Sequence, residues 1–131
     1  MRLFIDTDVI LDVLLQRAPH YTASARILDW GEQNPGKLAV SWHGLANIHY
    51  ISKDGAESFI QDLLRFTEIP ITGTEHMQSA LDLKFRDLED AMQVSAAQLF
   101  NAQIIVTRNL KDFKNSPIKA MSPDQCLSFL K

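Results

Sequence analysis

Short apolar runs alternate along the chain with stretches whose apolar residues recur at helical spacing. "RLFI", residues 2–5, reads as a strand, and in "DVILDVLLQR" Val9, Ile10, Val13 and Leu14 fall on a helical repeat. Thr22 stands where a cap would open a helix through "ASARILDWGEQ", which "NPG" ends with two turn residues. "LAVS" predicts a second strand, "LANIHYISK" and "GAESFIQDLLRFT" two helices, and "EIPI" a third short strand. From Thr74, "EHMQSALDL" and then "LEDAMQVSAAQLF" predict two more helices. "QIIVT" is the clearest strand, because β-branched residues fill it. "IKAM" and "SPDQCLSFL" close the pattern, with Ser122 as cap and Pro123 at the first helical position. Strands separated by helices predict an α/β fold whose mostly parallel sheet is covered on both faces.

Composition narrows the class. With 131 residues, 46% of them hydrophobic and 22% charged, the chain is expected to form a single domain, 1–131, with a substantial core. No apolar stretch approaches a membrane span and the first residues lack the pattern of a signal peptide, so a cytoplasmic protein without a membrane partner is expected. The one cysteine, Cys126, has no partner for an internal disulfide and reads as a small core residue. A net charge of -3 offers no general attraction to nucleic acid, so handling phosphate would require a metal ion or a local basic patch.

Three polar clusters lie where strands end or helices begin. Asp6 follows the first strand, and ligands of open parallel sheets bind beyond the carboxyl ends of the strands, so Asp6 is assigned to chemistry and Asp8 to capping the next helix. Asp87, Glu89 and Asp90 gather at the start of "LEDAMQVSAAQ". Acids are favoured there by the helix dipole, which accounts for one or two of them, but Asp90 leads a small-residue face able to approach the sheet. "TRNLKDF", residues 107–113, follows the strand "QIIV" and offers Thr107, Asn109 and Asp112 with Arg108 and Lys111 between them. A polar loop also uses such residues simply to turn.

Taken together, these segments resemble the PIN domain family, and within it the small VapC-like toxins of prokaryotic toxin–antitoxin pairs. "FIDTDVILDVLL", "LEDAMQVSAA" and "IIVTRNLKDF" carry the resemblance by their order and spacing over nearly the whole chain. It implies a three-layer α/β/α sandwich with a mostly parallel central sheet. It further implies that Asp6 and Asp90 are the metal ligands, that Asp112 completes a catalytic set with them, and that Thr107 and Asn109 lie in the polar rim. One position departs from the pattern: Asn47, in "SWHGLANIHYI", stands where the family usually has a glutamate. It is assigned to the rim, with His43 one turn before it.

The implied activity is hydrolysis of RNA phosphodiester bonds with Mg²⁺ or Mn²⁺, hard ions that take oxygen ligands and keep several waters. Asp112 would orient the attacking water or help hold a second ion, and Arg108, Lys111 and Lys114 would contact the RNA backbone. An antitoxin protein and a second copy of the chain are the implied partners. A degenerate PIN module that binds RNA or protein without cutting is the alternative, raised by Asn47. Two other classes fit less well. A haloacid-dehalogenase-like phosphatase would use the Asp6/Asp8 pair but needs further downstream groups, and a receiver domain needs an aspartate after the third strand, which "EIPITGTEH" lacks.

Overall fold

The computed structural model describes residues Met1–Lys131. Five short strands, β1 (Leu3–Ile5), β2 (Leu38–Ala39), β3 (Thr67–Glu68), β4 (Ile104–Val106) and β5 (Lys119–Met121), form one sheet in the order β3-β2-β1-β4-β5, with every pairing parallel. Seven helices accompany them, the last following β5: α1 (Thr7–Leu14), α2 (Tyr21–Gln33), α3 (Trp42–Ser52), α4 (Ala56–Leu63), α5 (Thr74–Asp82), α6 (Leu88–Leu99) and α7 (Pro123–Leu130). The expected mostly parallel α/β sandwich is the fold observed, and no helix is long and apolar enough to cross a membrane.

The three central strands, β1, β2 and β4, are fully buried, and their alternating side chains feed both faces of the sheet. Leu3, Ile5, Ile104 and Val106 join a core with α1, α2, α3 and α7 on one face. Phe4, Ala39 and Ile105 point the other way, to Val94 and Ala97 of α6, to Phe100 just after it and to Phe113. Small residues on α6 let that helix lie close to the sheet, while Cys126, fully buried on α7, packs in the first core.

Element boundaries moved where local chemistry outweighed periodicity. α3 begins at Trp42, earlier than the apolar repeat suggests, because Ser41 Oγ accepts the Gly44 amide at 2.9 Å. β3 lies at Thr67–Glu68 rather than through "EIPI", since Pro70 has no amide to donate to a ladder. Thr22 is no cap, because α2 already begins at Tyr21. The expected Ser122 cap is present: Ser122 Oγ accepts the Gln125 amide at 3.1 Å, and Gln125 Oε1 accepts the Ser122 amide at 3.0 Å.

From β1 the chain moves outward to β2 and β3 and then returns to place β4 on the other side of β1. The strand order therefore reverses between β1 and β4, and the crevice beyond their carboxyl ends is the favoured ligand site of such a sheet. Asp6 and Thr107 are the first residues past those two strands. α3 is docked beside them through Gly44, where an added Cβ would lie 2.6 Å from both Thr7 Oγ1 and Ser41 Oγ. Gly44→Ala is expected to lower stability by about 1–3 kcal/mol through this overpacking. Urea unfolding measures it, and an unchanged midpoint would mean that α3 does not seat tightly on α1.

Candidate active site

Asp6 is 3% exposed and occupies the position before α1, in extended conformation, without spending its carboxylate on a cap. Its oxygens turn instead to two neutral donors 87 and 101 positions away: Gln93 Nε2 reaches Oδ1 at 2.8 Å and Thr107 Oγ1 reaches Oδ2 at 2.7 Å. Gln93 Oε1 in turn accepts the Thr7 amide at 3.3 Å, so one amide side chain joins the start of α1 to α6. Burial pushes the Asp6 carboxyl above its ordinary value, and the Thr107 and Gln93 hydrogen bonds pull it back.

The assignment of capping to Asp8 is corrected. Asp8 lies inside the first turn of α1, and its Oδ2 accepts the Asn109 side-chain amide at 3.0 Å. The same Asn109 donates its backbone amide to Thr107 Oγ1 at 3.0 Å. Thr107 and Asn109 thus bind the β4 exit to Asp6 and Asp8, and a short 3₁₀ turn, Leu110–Phe113, carries Lys111 and Asp112 onward.

Asp90 sits in the first turn of α6, which opens with Asp87 Oδ1 accepting the Glu89 amide at 2.8 Å. Gln93 follows Asp90 by one helical turn on the same face. Burial first, then repulsion from Asp87, Asp6, Asp112 and Glu89, raises the Asp90 carboxyl to about 7. Asp6 and Asp112, from separate parts of the chain, therefore both lie within electrostatic reach of Asp90.

An open groove of about 860 Å³ passes this acidic cluster. It is lined by Asp87, Asp90 and Asp112 together with Lys84, Arg86, Lys111 and Lys114, and none of those four cations forms an ion pair. Arg108 is placed elsewhere. Its Nε and Nη2 lie 2.7 and 3.1 Å from the two carboxylate oxygens of fully buried Asp12, so its guanidinium is committed to α1 and does not line the groove. Asn47, expected in the rim, donates its amide to Glu89 Oε2 at 3.0 Å, and burial holds nearby His43 below the usual histidine value, with Glu89 pulling the other way.

No three Asp, Glu, His or Cys side chains stand close enough to form a complete metal cage. The donor set nevertheless suits a hard divalent ion, which is usually held by one or two carboxylates, with waters and substrate phosphate filling its shell. The carboxylates gathered here are Asp90, with Asp87, Asp6, Asp112 and Glu89 all within its electrostatic reach. Sequence reasoning missed Gln93, Asp12, Lys84 and Arg86. A polar amide on the packed face of α6 and an acid inside the apolar run "VILDVLL" were the signals for the first two.

A PIN domain family model matches residues 2–111. This chain belongs to the PIN domain family. PIN domains are generally metal-dependent nucleases. No curated protein matches the chain by sequence. Among solved structures, this PIN domain is similar to a chain of VapBC2 from Rickettsia felis bound to a promoter DNA fragment, with a TM-score of 0.71 and 20% identity over 93% of this chain and 98% of that one. It is similar to a chain of a toxin–antitoxin complex from Klebsiella pneumoniae, with a TM-score of 0.71 and 23% identity over 94% and 98% of the two chains. A chain of FitAB bound to an IR36 DNA fragment aligns with a TM-score of 0.69 and 14% identity over 92% and 94%. At these identities the likeness is one of fold.

The raised Asp90 value has a consequence for stability without metal. In the unfolded chain Asp90 ionises near 3.8, whereas the native protein holds the proton to about 7. Native protein binds more protons over that interval, so Asp90 costs stability progressively as pH rises through it and the cost is complete above it. Asp90→Asn is expected to raise the Tm of the metal-free PIN domain at pH 8, with the gain shrinking toward pH 4. A difference independent of pH would mean that Asp90 is not crowded by its neighbours.

Proposed function

We infer that this PIN domain is a Mg²⁺- or Mn²⁺-dependent endoribonuclease and the toxin of a toxin–antitoxin pair. The observation that carries the reading is the gathering of acids around Asp90 at the sheet's reversal point, where burial first and then repulsion from Asp87, Asp6, Asp112 and Glu89 raise its carboxyl to about 7. A cluster of this kind is stabilised by a cation, and none of the groove's lysines or arginines pairs with it. Similarity in fold to chains from toxin–antitoxin complexes supports the biological role.

In this reading Asp6 and Asp90 would hold the ion. When bound, the metal supplies Lewis acidity toward a phosphoryl oxygen and lowers the pKa of a coordinated water. Thr107 and Gln93 each donate to one Asp6 oxygen and so fix the orientation of its carboxylate. Asp112 accepts a hydrogen bond from the attacking water and orients it. Lys84, Arg86, Lys111 and Lys114 contact the RNA backbone along the groove and position the strand without reading its sequence. Arg108 leaves that list because its guanidinium is already paired.

The partners implied are an antitoxin and a second copy of the chain. Trp42 and Ile71, 74% and 92% exposed, line an apolar hollow of about 340 Å³ with Ile69 and Pro70 that is suited to a partner's side chains.

Cleavage of RNA by the purified protein tests the enzymatic reading. EDTA should abolish it and added Mn²⁺ restore it, Asp112→Asn should depress it, and Thr107→Val, which removes one donor to Asp6, should reduce it about 10–100-fold. Cleavage that survives EDTA, or that is untouched by Thr107→Val, would contradict this mechanism.

A further inference from the structure

We propose that the buried Asp12–Arg108 pair is a positioning clamp that sets where the residues after β4 meet α1, and through them the geometry of Asp6 and Asp112. The proposal rests on the nuclease reading for its effect on activity, but its structural argument is independent of it.

Asp12 is fully buried on α1, one turn after Asp8. Arg108 spans both of its oxygens with the two-pronged geometry of a guanidinium on a carboxylate, at 2.7 and 3.1 Å. Ser24 Oγ of α2 lies 3.4 Å from Oδ2 and Arg17 Nη1 3.7 Å from Oδ1, so three side chains meet the carboxylate. Such a pair gains little net stability over a well-packed apolar core, yet it fixes direction, because removing one partner strands a buried charge.

What it fixes is the segment between β4 and the 3₁₀ turn. Thr107, immediately before Arg108, donates to Asp6; Asn109, immediately after, donates to Asp8 and to Thr107 Oγ1. Three consecutive residues are therefore tied to three carboxylates along one side of α1, and the central tie is the only ionic one. Asn109 O accepts the Asp112 amide at 2.9 Å, which passes the constraint into the turn bearing Asp112. A lysine at 108 keeps the charge but not the fork, so it can neutralise Asp12 without holding this register.

Arg108→Lys, studied far below its Tm, is the test. Mn²⁺ binding by calorimetry should weaken about tenfold, as for loss of a residue supporting a metal ligand. RNA cleavage should lose kcat with little change in KM, and amide exchange in metal-free protein should speed at Asn109 and Asp112 while the β1 amides stay protected. A lower Tm with wild-type Mn²⁺ affinity, kcat and exchange at those two amides would overturn the proposal and leave the pair a stabilising contact only. Should Arg108→Lys not fold, the neutral pair Asp12→Asn/Arg108→Gln is read by the same three measurements. A wild-type protein that binds no Mn²⁺ and cuts no RNA would refute the nuclease reading, and the exchange pattern would then decide the clamp alone.

Discussion

Everything at the candidate site depends on keeping the Asp6 carboxylate buried at the end of β1 with only neutral side-chain donors. Hydrogen bonds to a charged group contribute about 1.5–3 kcal/mol each. The effective penalty for burying a carboxylate is several kcal/mol. Gln93 and Thr107 offset part of that cost, and the raised Asp6 carboxyl reports the remainder. A cation would remove it. Asp90 lies nearby instead, with Asp112 within reach of it, and in the proposed reading these acids make the crevice a place for a divalent ion.

The rest of the fold serves that arrangement. The reversal of strand order between β1 and β4 puts residues over a hundred positions apart on one rim. Close packing of α6 against Phe4 and Ile105 delivers Gln93 and Asp90 to the same rim from above the sheet. Segregation of charge resolves the apparent conflict between a net charge of -3 and the polyanionic substrate proposed above. Acids collect at the crevice, while Lys84, Arg86, Lys111 and Lys114 remain unpaired along the groove that leads to it.

Much of this was legible in the sequence. The strand and helix order followed from periodicity, and Asp6 could be placed at a strand's carboxyl end from "LFID" alone. Asp90 was preferred over Asp87 and Glu89 because it leads a face of small residues, and the structure places both Asp87 and Asp90 along the groove. Side-chain partners were not legible, since they depend on which strands are neighbours. Arg108 looked like a free loop cation until the β1–β4 pairing set it against Asp12. Asp8 looked like a cap because one residue decides whether an acid precedes a helix or lies in its first turn. Gln93 was hidden among packing residues, since its function lies in a hydrogen bond to an acid 87 positions away.

Anomalous diffraction from crystals grown with Mn²⁺ addresses the central claim most directly. The account predicts one strong peak bonded to carboxylate oxygens of Asp6 and Asp90, with Asp6 still held by Gln93 and Thr107. A peak bonded elsewhere, or none at saturating Mn²⁺, would contradict it.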